Sequence, residues 1–162
     1  MKKLIFIIVV IVGIVNQISA QEISEHAIGF RIGDNDGFGA EISYQKKLND
    51  VNRLEFDLGL RNTTYRNAWK LSGIYQWVWN IEGGFNWYAG FGAGIGTWNH
   101  KDKYEYDDED GLFINGDGNV GIEYNFEIPL LISIDFRPEL GIINNYGDNL
   151  DFDLALSLRY QF

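Results

Sequence analysis

Asp151-Phe152-Asp153-Leu154-Ala155-Leu156-Ser157-Leu158-Arg159-Tyr160-Gln161-Phe162 is the stretch that decides the fold. Phe152, Leu154, Leu156, Leu158, Tyr160 and Phe162 occupy every second position. Asp151, Asp153, Ala155, Ser157, Arg159 and Gln161 lie between them. Successive side chains of a strand point to opposite faces, so this segment reads as a strand with one apolar and one polar face.

The same period of two runs upstream through Leu130–Arg137, Asn119–Phe126, Phe85–Thr97, Trp69–Trp79, Arg53–Leu60, Phe38–Tyr44 and Ala27–Gly33. Turn-forming clusters separate neighbours, among them Asp34-Asn35-Asp36-Gly37 and Glu82-Gly83-Gly84. Eight such runs predict an all-β, eight-stranded antiparallel up-and-down barrel. Pro129 falls at a strand entrance and Pro138 near an exit, where a missing donor is tolerated. Residues 21–162 form one domain.

Ahead of the barrel, Lys2 and Lys3 precede the apolar run Leu4–Val15, and Ser19-Ala20 suits a signal peptidase. Residues 1–20 are therefore expected to be a cleavable secretory signal peptide, since 12 apolar residues fall short of the roughly 20 that span a bilayer as a helix. Zero Cys excludes disulfides, thiolate metal sites and a cysteine nucleophile. The formal net charge of −10 argues against nucleic-acid binding.

Alternation fits two barrels of opposite polarity. A soluble lipocalin-like barrel turns its apolar face inward around a ligand; a transmembrane barrel turns it to lipid. No position on the apolar face is charged, whereas the other face carries Arg31, Arg53, Lys70, Arg137, Arg159, Glu41, Glu55, Asp57, Glu123, Asp135, Asp151 and Asp153. With the N-terminus in the periplasm, Tyr44, Trp77, Trp79, Phe85, Trp87, Tyr124, Phe126, Tyr160 and Phe162 gather at the periplasmic end. Phe38, Trp69, Phe136 and Phe152 fall at the other. Two aromatic girdles around an aliphatic waist favour a bilayer.

The closing Leu158, Tyr160 and Phe162, the run Trp87-Tyr88-Ala89-Gly90-Phe91-Gly92-Ala93-Gly94, Gly121-Ile122-Glu123-Tyr124 and Ile128-Pro129-Leu130 with Asp135-Phe136-Arg137-Pro138 resemble the small eight-stranded outer-membrane barrels of Gram-negative bacteria, with OmpA- and OmpX-like folds. The resemblance implies location in the outer membrane and contact with its lipid and lipopolysaccharide. It also implies recognition of the last strand, ending at Phe162, by the barrel-assembly machinery. Ala155 and Ser157 depart from that family's pattern.

Eight strands enclose an interior that side chains can fill, so the inward charges are expected to form a salt-bridged plug in a monomer. Extracellular loops are expected at Asp34–Gly37, Arg61–Asn67, Trp98–Gly111 and Gly141–Asn149. The third holds Lys101, Asp102, Lys103, Glu105, Asp107, Asp108, Glu109 and Asp110. It reads as a solvated acidic tip, without the alternating spacing of a preformed calcium loop. No catalytic, cofactor-binding or metal-binding residue is assigned. His26 lies at the periplasmic start and His100 in the third loop, and no Ser stands in the extracellular loops to complete a lipid A-modifying Ser-His site. The expected role is envelope structure or surface interaction through the loops, with no enzymatic activity.

Overall fold

The computed structural model describes residues 23–33, 39–62, 66–100, 111–144 and 149–162. Eight strands follow in chain order: β1 (His26–Ile32), β2 (Ala40–Lys47), β3 (Asn52–Asn62), β4 (Arg66–Glu82), β5 (Phe85–His100), β6 (Gly111–Asn125), β7 (Leu130–Ile143) and β8 (Leu150–Gln161). Each pairs antiparallel with its sequence neighbour, and β8 returns to β1, closing the barrel.

The register fixes the barrel's shape. Ala27 faces Gln45, and the row continues through Glu55, Ile74, Gly92, Asp117 and Glu139 to Asp151. On closure Ala27 pairs with Gln161, ten positions beyond Asp151. Eight strands with this stagger tilt by about 41° from the axis, which leaves a bore that side chains fill.

The alternation sorts residues as the sequence predicts. Phe30, Leu60, Phe91, Ile122, Ile134, Leu154 and Leu156 point outward and are exposed, while Arg31, Arg137 and Arg159 are fully buried. Among strand residues with described side chains, the exposed charges are Lys46 and Glu82, both at the periplasmic ends of their strands. A soluble ligand-binding barrel needs the reverse, so the lipocalin-like alternative is set aside by the burial pattern. An apolar exterior around a charged interior is the polarity of a barrel that crosses a membrane.

Two strands, β6 and β7, differ from their sequence expectations. β6 begins at Gly111 instead of Asn119, because Asn115-Gly116-Asp117-Gly118-Asn119 has the composition of a turn but pairs with β5 throughout. Its alternate residues Asn115, Asp117 and Asn119 are buried, adding Asp117 to the inward charges. β7 runs through Pro138 to Ile143, which turns the expected exit proline into a mid-strand one and brings Glu139 beside Asp117. The β6–β7 pairing is interrupted there, resuming at Val120 opposite Phe136, as a residue without an amide donor requires. Phe136 is the seventh of fourteen residues in β7, so it lies mid-strand and not in an extracellular girdle, stacked on Phe152 at 5.6 Å.

The aromatic residues expected together at the end that holds His26 and Phe162 do pack on one another. Trp79 stacks on Trp87 at 4.3 Å, Phe85 meets Tyr124 at 4.6 Å, and Tyr124 meets Phe126 at 4.6 Å. At the β1–β8 seam, the His26 amide donates to the Phe162 carbonyl and the Phe162 amide to the His26 carbonyl. The His26 ring lies on Phe162 at 5.4 Å, and its Nδ1 is 2.7 Å from the Tyr44 hydroxyl. The expected loop residues Arg61, Asn62, Asn67, Trp98, Gly111 and Gly141 belong to strands; Phe38, Asp34–Gly37, Asp102–Asp110 and the signal segment 1–20 lie outside the described residues.

Candidate functional site: the charged lumen

Alternation on eight strands delivers one set of side chains to the bore, and there they join into a single network. Arg31 on β1 pairs with Glu41 at 2.9 Å, Asp135 at 2.7 Å and Asp153 at 2.5 Å. Arg137 on β7 reaches Glu41 at 3.6 Å, Glu55 at 3.0 Å and Asp57 at 2.6 Å. Arg159 on β8 pairs with Glu55 at 3.0 Å and donates to the hydroxyls of Ser43 and Ser133. Lys70 on β4 holds Glu139 at 2.5 Å and approaches Glu41 at 3.9 Å.

A second centre lies near the periplasmic mouth. Arg53 pairs with Glu123 at 2.7 Å, donates through Nε to the Gln76 side-chain carbonyl, and lies 4.8 Å over the Tyr88 ring. Gln76 donates to Asn119, and Asn119 to Asp135, so the two centres form one lattice. Tyr88 is fully buried, and its ring fits only because Gly121 faces it. A Cβ at Gly121 would come within 2.5 Å of the Tyr88 hydroxyl and ring carbon.

Each end of the lattice is covered. Ala68 and Phe113, with Trp98 packed against them, form a small apolar cluster at the extracellular end. At the periplasmic end, Ile23 and Ser24 join Gln45, Arg53, Asn86, Glu123 and Leu131 around a hollow of about 10 Å³, room for one water molecule.

All twelve inward charges predicted from sequence face the bore. Ten are buried, while Asp151 and Asp153 near the upper rim are half-buried. The residues that sequence reasoning missed are Asp117 and Glu139. Their signal was present as alternation with Asn115, Asn119 and Arg137, hidden by turn-type glycines and a proline. Of the two histidines, His26 belongs to the β1–β8 seam, far along the chain's fold from the upper lumen, and β5 ends at His100.

The closed eight-stranded barrel with charges inside and apolar residues outside has the fold and polarity of the small transmembrane β-barrels of outer membranes. Solved structures of that class share the fold. The N-terminal β-barrel domain of Pseudomonas aeruginosa OprF matches with a TM-score of 0.70 at 13% identity, over 88% of this chain and 100% of that one. Ail, the attachment invasion locus protein of Yersinia pestis, matches with a TM-score of 0.59 at 17% identity, over 86% and 97%. Neisserial surface protein A matches with a TM-score of 0.58 at 12% identity, over 85% and 94%. No protein-family model matches the sequence, and no curated protein matches it.

Proposed function

We propose that this chain is an outer-membrane barrel whose lumen is a structural plug and whose role is exerted outside, through the extracellular loops, in envelope structure or surface interaction. The observation that carries this reading is the continuous lattice of ion pairs and hydrogen bonds from Arg53 to Arg31. An interior closed by salt bridges leaves no route for solutes, and its rigidity makes a stable platform for loops. The bilayer lipid and lipopolysaccharide are the proposed surroundings of the apolar belt. The seam at Phe162 is the proposed contact with the barrel-assembly machinery, and the folded form is a monomer.

Ail has also been solved with the heparin analogue sucrose octasulfate. The third loop of the present chain carries Asp102, Glu105, Asp107, Asp108, Glu109 and Asp110 against Lys101 and Lys103. That charge repels a polyanion, so a cationic or neutral surface partner fits this chain better. No catalytic role is proposed for His26 or His100.

Liposome swelling with small sugars tests the plug, with uptake no faster than in protein-free liposomes as the expected result; rapid sugar entry overturns it. Photo-crosslinking from residues of the third loop on intact cells tests the surface role. Adducts lost on deleting residues 102–110 are expected, whereas adducts formed only from periplasmic positions overturn it. Lipid A mass profiles that change in a deletion strain and in His100→Ala would overturn the non-enzymatic reading.

A further inference from the structure

Arg53 and Glu123 stand at the periplasmic ends of their strands. Arg53 is the second residue of β3, and Glu123 lies two positions before the last residue of β6. Their side chains are nevertheless only 2% and 3% exposed. The opposite rim behaves differently: Asp151, the second residue of β8, is half-buried at the extracellular mouth. Charges at the open end of a bore stay hydrated unless something covers them.

The cover is the chain just before β1. Ile23 and Ser24 line the small hollow at the Arg53–Glu123 pair, and the rest of its lining comes from β1, β2, β3, β5, β6, β7 and β8. A hollow walled by seven of the eight strands lies on the barrel axis, so Ile23 and Ser24 reach across the mouth instead of following its rim. Its volume of about 10 Å³ takes one water molecule and nothing larger. Ile23 shares the apolar part of the wall with Ala27 and Leu131, both of which are buried.

The segment is fastened at one end. The Lys47 amide donates to the Glu25 carbonyl at 3.0 Å, and the His26 and Phe162 amides bond each other's carbonyls. Upstream of Glu25, neither Ile23 nor Ser24 makes a backbone hydrogen bond among the described residues. A segment that rests on a few side-chain contacts, beside one pinned by sheet bonds, opens locally at little cost. We propose that residues 23–24 are a strap, hinged at Glu25, that closes the periplasmic mouth over Arg53 and Glu123 and gates access to them from the periplasm. The proposal rests on the reading of the lumen as a plug: with the strap lifted, the mouth opens only as far as this pair, and the bore above stays shut.

The chain has no Cys, so single introduced cysteines report access without background. Gln161→Cys places a thiol in the hollow, and Ser157→Cys places one four positions further up β8, where Ser157 is fully buried. Each is made in the chain from residue 21, in a chain that starts at Glu25, and in Ile23→Asp. All are folded in detergent and checked by the heat shift of the gel band. The probe is a small water-soluble methanethiosulfonate. Gln161→Cys is expected to react about tenfold faster, or more, in both strap variants than in the intact chain, because opening of the strap no longer limits access. Ser157→Cys is expected to stay unreactive in all three. Equal rates for Gln161→Cys with and without the strap overturn the proposal. Rapid reaction of Ser157→Cys in any of the three overturns the plug reading, whatever Gln161→Cys does. Should the shortened chain not fold, Ile23→Asp decides the matter.

Discussion

Arg137 and Asp57 meet at 2.6 Å inside the barrel, although they stand 80 positions apart in the chain. One stands on β7 and the other on β3, so the contact spans the bore instead of following the sheet. Both side chains are fully buried, and Arg137 also serves Glu55 and Glu41. Like Arg31, this arginine joins three carboxylates.

Arg137→Leu removes a cation that three carboxylates share. Breaking a buried ion pair by deleting one partner costs about 3–5 kcal/mol, because the remaining charge is left uncompensated. The urea midpoint of the barrel folded in vesicles is expected to fall accordingly. Replacement of Arg137 together with Asp57 by Leu and Asn is expected to recover part of the loss. An unchanged midpoint in Arg137→Leu would remove the plug.

Leu156→Arg tests which face meets lipid. Leu156 points outward between Ile32 and Ile134, away from both girdles. A charged residue near the bilayer midplane costs about 2–4 kcal/mol. Folding into phospholipid vesicles is expected to weaken by that amount, while Leu156→Met changes little. Equal folding of Leu156→Arg and wild type would mean that this face sees water.

Gly121→Ala tests close packing within the lumen. The added methyl group runs into the Tyr88 ring, and overpacking of this kind costs about 1–3 kcal/mol. Tyr88→Phe is expected to be neutral or slightly stabilising, because the Tyr88 hydroxyl is buried without a hydrogen-bond partner among the described residues. The double variant is expected to regain part of the loss. Thermal unfolding of the three proteins in detergent checks each arm.

Tyr44→Phe tests the seam. The lost hydrogen bond to His26 is worth about 0.5–1.5 kcal/mol. The change is expected to raise hydrogen exchange at the His26 and Phe162 amides more than at β5. Uniform exchange across the strands would show that the seam is not locally held by this bond.

Most of the fold was legible because its signal is local and repeated. Strands such as β8 state their two faces residue by residue, and the absence of charge on one face together with the periplasmic aromatics settled which face is outside. β6 was legible only in its lower half, since Asn115-Gly116-Asp117-Gly118-Asn119 is favoured in turns by composition. Only its pairing with β5 and β7 makes it a strand. Pro138 misled in the same way: the sheet tolerates its missing donor at a gap in pairing that no local pattern reveals. Which inward charge meets which was not legible at all, because partners such as Arg31 and Asp135 are 104 residues apart and depend on register around the whole barrel. Asp117 followed from the same blind spot, since it falls between the expected third loop and the expected start of the strand at Asn119.

The central claim is that this chain crosses the outer membrane as a closed barrel with its charges inside. Fractionation of cells expressing it, with gel mobility compared before and after boiling, tests that claim most directly. The account predicts recovery in the outer-membrane fraction as a band that shifts on heating. Recovery in the soluble periplasmic fraction, with no shift, would contradict it.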